Sequence, residues 1–343
     1  MKRRIRRFSR GFWLLAALLP CGCATLASEA GDDDAVRPNN LAGPFRYLVR
    51  PELASNAPYT LRRRSVDHRD ATLLPLDGER VALYAAASVG GVSGIYRFIA
   101  EDGRSFVEQP DPQDPVLAAR EAWEGATLEA PSVLRVGAEV WLAYAGTDGI
   151  GIARSSDGVT FTNATTPVLS TQGGSAWEAG ATPQGPALTM LGASDFRLFY
   201  GAGGSIGEAT SSDGLDWTRT GAPVLEPSAG ETFDAAGVSD PEPWLAKTAE
   251  GRQVLRLYYA GRDAAGVTGI GLAARYADSG AMQKNPQPAL SGPRLPRAPA
   301  VLPRDGYTLL FVTQRAGSAD DEAFPALAVG IAPATLRLPA ATP

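Results

Sequence analysis

The chain has 343 residues, 44% hydrophobic and 20% charged, with 38 Gly, 27 Pro and a formal net charge of −5. That composition excludes a disordered chain and fits one large, turn-rich globular domain.

Residues 1–23 stand apart from that domain. Lys2, Arg3, Arg4, Arg6, Arg7 and Arg10 form a basic head, and Phe12 to Leu19 is an apolar run too short to span a bilayer. Pro20-Cys21-Gly22-Cys23 follows. The segment resembles a bacterial lipoprotein signal, which implies Cys23 as the lipid-bearing residue; Cys21 is the other thiol, and ordinary secretion is the alternative. Pro20-Cys21-Gly22 departs from the usual Leu-Ala-Gly of such signals. The remainder then carries no cysteine, hence no disulfide and no thiolate nucleophile. It keeps 26 basic and 37 acidic residues, about −11, which argues against nucleic acid as a partner. Residues 24–43 are small or polar, with Asp32-Asp33-Asp34, and read as a flexible tether between a membrane and the domain of residues 44–343. Ala24 and Thr25 follow the cysteine without an Asp, so the expected address in a Gram-negative cell is the outer membrane; failing an anchor, the protein is periplasmic or secreted.

From residue 65 onward the chain repeats. Residues 123–169 contain Trp123-Glu124, Ala130-Pro131, Val140–Gly146 (VWLAYAG), Ile150-Gly151, Ser155-Ser156-Asp157-Gly158 and Phe161. Residues 177–225 repeat them as Trp177-Glu178, Gly185-Pro186, Arg197–Gly201 (RLFYG), Ile206-Gly207, Ser211-Ser212-Asp213-Gly214 and Trp217. The inner strand of each unit starts at Ala71, Pro131, Pro186, Pro241 or Pro299, in steps of 60, 55, 55 and 58 residues. A second, aromatic and aliphatic strand follows at 81–85, 140–145, 197–201, 255–260 and 307–313. A third is built on Ile95, Ile150, Ile206, Ile270 or Val329. These are β-branched and aromatic runs bounded by turn residues. Asp102-Gly103, Asp157-Gly158 and Asp213-Gly214 supply hairpins, because Gly accepts a positive φ. The pattern predicts an all-β fold, a five-bladed β-propeller with four antiparallel strands per blade. Residues 44–60 are expected to supply the strand that closes the ring, and α-helix is expected to be almost absent.

In a radial repeat the residues entering each inner strand point at one funnel mouth. Those are Asp70, Glu129-Ala130, Gln184-Gly185, Asp240 and Arg297-Ala298. Convergent carboxylates shift one another's pKa, as acid–base catalysis requires; the plainer reading is that they satisfy backbone groups at the rim. His68, the sole histidine, is two residues before Asp70 and on a regular strand would face the same side. Trp123, Trp177 and Phe233, each followed by an acid, serve blade packing or sugar stacking. No metal-ligand spacing, phosphate loop or nucleophile elbow is present, so neither metal nor cofactor is expected.

Over residues 65–335 the units resemble the propeller of glycoside hydrolase family 43 and its relatives, families 32, 62 and 68. The resemblance rests on the Pro-started inner strands, the Leu-Tyr-Tyr-Ala-Gly type second strands, the Ile-Gly-x-Ala third strands and the Ser-Ser-Asp-Gly turns. It implies an Asp base directly before an inner-strand Pro. It also implies a pKa-tuning Asp two blades on, and a Glu acid two residues before Pro one blade further. In plain chain order Gly185 and Ser239 stand where the second Asp and the Glu belong. Read round the ring from Asp240-Pro241, the offsets are filled by Asp70 and by Glu129-Ala130-Pro131. Ala298-Pro299-Ala300-Val301 lies between, like the Ala-Pro-x-Val of the family. Ala71 in place of Pro, and the extra carboxyl of Glu242, are departures.

Two functions follow. One is an exported glycosidase with Asp240 as base, Glu129 as acid and Asp70 as pKa modulator, inverting, its base and acid carboxyls roughly 6.5–9.5 Å apart. His68, Trp123, Gln184, Glu242 and Arg297 would contact the carbohydrate. The other is a non-catalytic surface lipoprotein whose funnel binds a glycan or a protein, since fold alone does not fix function. A monomer is expected.

Overall fold

The computed structural model describes residues 42–48, 60–62, 68–109, 114–248, 251–293, 295–304, 307–314 and 327–332. The signal-like segment, Cys23 and the tether as far as residue 41 lie outside them.

The described residues form five antiparallel sheets in chain order. The first blade is Arg69–Pro75, Val81–Val89, Val92–Ala100 and Ser105–Glu108. The second is Glu129–Val136, Glu139–Gly146, Gly149–Ser155 and Leu169–Ser170; the third is Gln184–Gly192, Asp195–Ala202, Ser205–Ser211 and Thr218–Arg219. The fourth is Gly237–Lys247, Gln253–Arg262, Thr268–Tyr276 and Ser279–Lys284. The fifth has Arg297–Arg304, Tyr307–Thr313 and Leu327–Ala332, and takes its outer strand, Arg46–Tyr47, from the start of the domain. Arg46 pairs with Ile331 and Tyr47 with Gly330, so the ring is closed by its two ends. The first blade carries one parallel addition, Thr60–Arg62 against Ser105–Glu108. Each inner strand packs beside the next, and the fifth returns to the first. Helix among the described residues is confined to two 3-10 turns, Ala122–Glu124 and Ala176–Glu178.

Five apolar cores lie one at each seam between blades. Leu83 and Phe98 meet Leu302 and Phe311 between the first and fifth blades. Tyr84 and Ala86 meet Val140 and Leu142 at the next seam, and Trp141 and Ile152 meet Leu188 and Leu198 at the one after. Phe199 packs with Leu255 and Tyr259, and Tyr258 and Ile270 with Leu310 and Val312. A central strand thus buries both faces, which explains why the second strands read as continuous apolar runs rather than alternating ones.

The aromatic–acid pairs before the inner strands prove structural. Trp123 stacks on Tyr144 with centroids 5.6 Å apart, Trp177 tilts over Tyr200 at 6.0 Å, and Phe233 stacks on Tyr259 at 6.1 Å. The acid beside each aromatic accepts a hydrogen bond from the same tyrosine: Glu124 from Tyr144 at 2.6 Å, Glu178 from Tyr200 at 2.9 Å, Asp234 from Tyr259 at 3.0 Å. All three acids are buried, and each is compensated differently. Glu124 accepts the backbone N–H groups of Arg120 and Glu121 and the amide of Asn163. Glu178 pairs with Arg219 at 3.1 Å and Asp234 with Lys284 at 2.6 Å.

The repeated Ile-Gly of the third strand belongs to this arrangement. A Cβ on Gly207 would come 2.6 Å from the Tyr200 ring and 2.7 Å from Trp177. Gly207→Ala is therefore expected to destabilise the fold by about 1–3 kcal/mol through overpacking, measured as a lower denaturant midpoint. An unchanged midpoint would mean the two rings yield without cost.

The Asp-Gly turns join blades as well as strands. Asp157 accepts the N–H groups of Val159 and Thr160 at 2.8 Å, and Ser155 donates to it at 2.8 Å. These donors hold its carboxyl down at about 2. Tyr84 of the first blade donates to the carbonyl of Gly158 at 2.7 Å. Arg154 of the second blade donates to that of Gly214 at 3.2 Å. The Asp157-Gly158 and Asp213-Gly214 turns are thereby fastened to the blade before each.

Candidate active site

All five inner strands share one irregularity. The register shifts between Arg69 and Thr72, Glu129 and Ser132, Gln184 and Ala187, Ser239 and Glu242, and Arg297 and Ala300. At each bulge one residue takes a left-handed φ: Asp70 (54°), Ala130 (47°), Gly185 (55°), Asp240 (50°) and Ala298 (46°). Four of these carry a Cβ, at a cost of about 1–2 kcal/mol each. The strain accompanies Ala130 and Ala298 as much as the two acids, so the bulge belongs to the blade design. Its effect is to turn the residues just before Pro, or before Ala71, toward the axis.

The axis holds a cavity of about 30 Å³ bordered by Asp70, Gly185, Asp240, Glu242 and Ala298. Asp70 is 6% exposed. Its N–H donates to Thr313 Oγ1 at 2.6 Å, the Thr313 hydroxyl donates to its Oδ1 at 3.2 Å, and Arg297 Nη1 lies 3.3 Å from the same oxygen. Burial raises the Asp70 pKa; Arg297, Arg69 and Thr313 pull it back, and the charge of Glu129 pushes it up again. Asp240 is partly exposed and accepts the N–H of Ala298 at 3.3 Å. Withdrawal from water raises its pKa, the negative charge of Asp70 raises it further, and Arg297 opposes both. Glu242 accepts the N–H of Val301 at 3.1 Å, and its enclosure pushes it up to about 8.

Glu242 also has a structural parallel. Thr72 accepts the N–H of Val133 in the next blade, and Ser132 that of Leu188. Glu242 does the same to Val301 from the same offset, so it is a longer version of an inter-blade clasp. Glu129 stands at the rim, half-exposed, with Arg69 Nη2 3.0 Å from its Oε1. Gln184 is exposed at the edge of a cleft beside Asp240. The axial cavity and the cleft are thus lined by Asp70, Gln184, Asp240 and Glu242, with Arg297 reaching Asp70 and Glu129 tied to Arg69, the residue before Asp70.

Two expected contact residues are elsewhere. His68 is fully buried, edge-on to Tyr96 and Phe98 at 5.9 and 5.0 Å. The alternation that aimed it at the funnel fails because Asp70, two residues on, has a left-handed backbone. Trp123 is buried against Tyr144, and its Nε1–H donates to the carbonyl of Ala164 at 3.1 Å. It offers no face to a sugar. Sequence reasoning also missed Thr313, which lies in an ordinary second-strand run and faces Arg297 across the bulge. Among the described residues no cluster of three His, Cys, Asp or Glu side chains is placed to hold a metal.

The chain matches no protein-family model and no curated protein sequence. Solved structures do match it. A glycosyl hydrolase from Bacteroides ovatus aligns at 15% identity and a TM-score of 0.59, over 86% of this chain and 92% of that one. An endo-arabinase from Bacteroides thetaiotaomicron VPI-5482 aligns at 15% identity and 0.57, over 80% and 96%. A third is a structure from the GH130 family of mannoside phosphorylases, which contains glycoside hydrolases that target beta-1,2 mannosidic linkages in Candida mannan. It aligns at 14% and 0.60, over 87% and 99%. The fold is thus the five-bladed propeller of the glycoside hydrolases of family 43 and GH130 type. At these identities the likeness carries the fold and nothing finer.

Proposed function

We propose that this protein is an exported, glycan-active propeller that hydrolyses a glycosidic bond at the funnel mouth. The observation that carries the reading is the pairing of Asp70 and Asp240 on one small axial cavity, each at the bulge of its own blade, with the charge of Asp70 acting on Asp240. In this reading Asp240 takes a proton from water as it attacks the anomeric carbon. Glu129 gives its proton to the departing glycosidic oxygen, so one turnover leaves Asp240 protonated and Glu129 ionised, and proton exchange with water restores both. Asp70 sets the charge around both, and Arg297 limits how far the two aspartates rise. The five-bladed neighbours support a carbohydrate as substrate.

The test is a panel of neutral saccharides: 1,2-mannobiose, 1,5-arabinotriose and cellotriose, with the matching aryl glycosides. One class is expected to be cleaved. Binding without cleavage supports the second reading, a non-hydrolytic propeller. The Arg69–Glu129 ion pair favours that alternative, because it must open before Glu129 reaches a leaving oxygen. No binding and no cleavage anywhere in the panel defeats the glycan reading.

We place the protein in the cell envelope, monomeric and held by lipid on Cys23. Cys23→Ser is expected to move it from the membrane fraction to the soluble one, since the acyl chains supply the attachment. A variant that stays in the membrane fraction like the wild type removes the anchor from Cys23.

A further inference from the structure

The funnel mouth is not symmetric, and its asymmetry has a cause in five residue pairs. Across each bulge the rim residue faces a second-strand partner. The pairs are Arg69 with Ala86, Glu129 with Ala145, Gln184 with Gly201, Ser239 with Ala260, and Arg297 with Thr313. Only the third blade has Gly at the partner position, and it also has Gly185 where the others have Asp or Ala. Two other seams are bridged by arginine: Arg69 to Glu129 between the first and second blades, and Arg297 to Asp70 between the fifth and first. At the seam of the third and fourth blades the wall drops. A cleft of about 370 Å³ opens there, lined by Gln184, Gly201, Gly203, Gly204, Ser239 and Asp240 among others. Gly185 and Asp240 border both this cleft and the axial cavity, so the two lie on either side of these residues.

The size is that of a small-molecule site. Its chemistry is a set of neutral donors and acceptors: the Gln184 amide, the Ser239 hydroxyl and glycine backbone. No lining residue is Lys or Arg. An anionic ligand group would lose its hydration there against a lining that offers no cation of its own and beside the Asp240 carboxyl, while Arg297, whose charge also reaches Asp240, lies outside that lining.

We propose that the cleft at the seam of the third and fourth blades is the path along which the saccharide runs outward from the Asp240 carboxyl, the axial cavity of about 30 Å³ being large enough for a water and not for a sugar. It takes an uncharged sugar unit beside Asp240, and Gly201 and Ser239 set the bulk it admits. This rests on the glycan reading above and adds to it a direction and a charge class. Gly201 is the informative position. A Cβ there would meet only ordinary contacts, 3.7 Å to the Gln184 carbonyl and 3.9 Å to Ser239, so a longer side chain fills the cleft rather than the strand.

The experiment measures binding of the saccharide panel to wild type, Gly201→Leu and Ser239→Trp by titration calorimetry. Melting curves are recorded for all three proteins. Both variants are expected to melt near the wild type and to bind the trisaccharides at least about tenfold more weakly, the scale of a filled subsite. Digalacturonate is expected to bind more weakly than the neutral sugars. Trisaccharide affinity unchanged in both folded variants overturns the path while leaving the glycan reading intact. Tighter binding of digalacturonate overturns the charge class. Should Gly201→Leu melt early, Ser239→Trp decides alone, because Ser239 is exposed. A wild type that binds no saccharide removes both readings together.

Discussion

Asp240→Asn is expected to lower kcat/KM on the cleaved substrate by at least about 10²-fold, the usual scale of a general-base contribution. The amide keeps an oxygen to accept the Ala298 N–H now held at 3.3 Å, so the blade contact survives while the base is gone. Glu129→Gln is expected to cost a similar factor on natural linkages. Aryl glycosides with activated leaving groups should recover most of the Glu129→Gln loss, since they depart without a proton, and none of the Asp240→Asn loss. The pH profile gives a second reading. A base must be ionised, and the Asp240 carboxyl is raised by burial and by Asp70. The acidic limb of kcat/KM should therefore lie above the ordinary aspartate value of 3.8. Glu242 supplies the opposing outcome. Pushed up to about 8, it holds its proton at neutral pH and borders the same cavity. Full activity in Glu129→Gln with a hundredfold loss in Glu242→Gln, about the same general-acid scale, would move proton donation to Glu242.

Lys284→Met should produce the largest loss of stability, roughly 3 kcal/mol, the low end for removing one partner of a buried pair. Asp234 is 1% exposed, and the Lys284 ammonium sits 2.6 Å from its Oδ2 with 18% of its side chain exposed. Thr232 and Tyr259 also donate to Asp234, but neither brings a charge. Burial alone would raise the Asp234 pKa; the hydrogen bond and charge of Lys284 bring it below the usual value. A depressed folded pKa means the pair stabilises the fold above the unfolded carboxylate's pKa, about 3.9, and loses that contribution as pH falls through the folded value. In the variant Asp234 is left buried without its counter-charge. The difference between wild type and variant in chemical denaturation should thus be greatest near neutral pH and shrink below about pH 4. A difference independent of pH would assign the loss to the contact of the Lys284 ammonium with the Tyr259 ring, 5.6 Å from its centroid.

The blade count was legible because a repeat exposes itself: Pro131, Pro186 and Pro241 mark the bulges, and Ile-Gly marks the seat of an aromatic pair. The strand from the chain start that closes the fifth blade was legible from the missing fourth strand. The bulge itself was not. Asp70 and Asp240 adopt a backbone that L residues avoid, and nothing in a stretch such as His68–Leu73 announces it. The period-two rule then placed His68 on the wrong side. The buried acids were equally opaque. Glu124 and Glu178 have the composition of surface residues, and only their distances to Tyr144 and Tyr200 reveal that they are held inside. Of the site, the positions of the rim residues followed from radial repetition. The Arg69–Glu129 and Arg297–Asp70 pairs did not, because charges in neighbouring blades are some sixty and more than two hundred residues apart in sequence.

The pairing of Arg46 with Ile331 makes the ring a question of timing as well as of shape. Hairpins within a blade join residues no further apart than Gly237 and Arg262 and form early, because the loop they close is short. The pairing of the domain's first and last strands spans almost the whole chain. It cannot form until the fifth blade exists. A chain emerging from its amino end must therefore keep Arg46–Tyr47 waiting, while the Leu327–Ala332 edge, once made, stands open until that strand arrives. An open edge of this kind is where chains add to one another. Shortening the amino end to residue 48 would leave that edge uncovered in every molecule, and association at the fifth blade, read as concentration-dependent light scattering, is its expected mark.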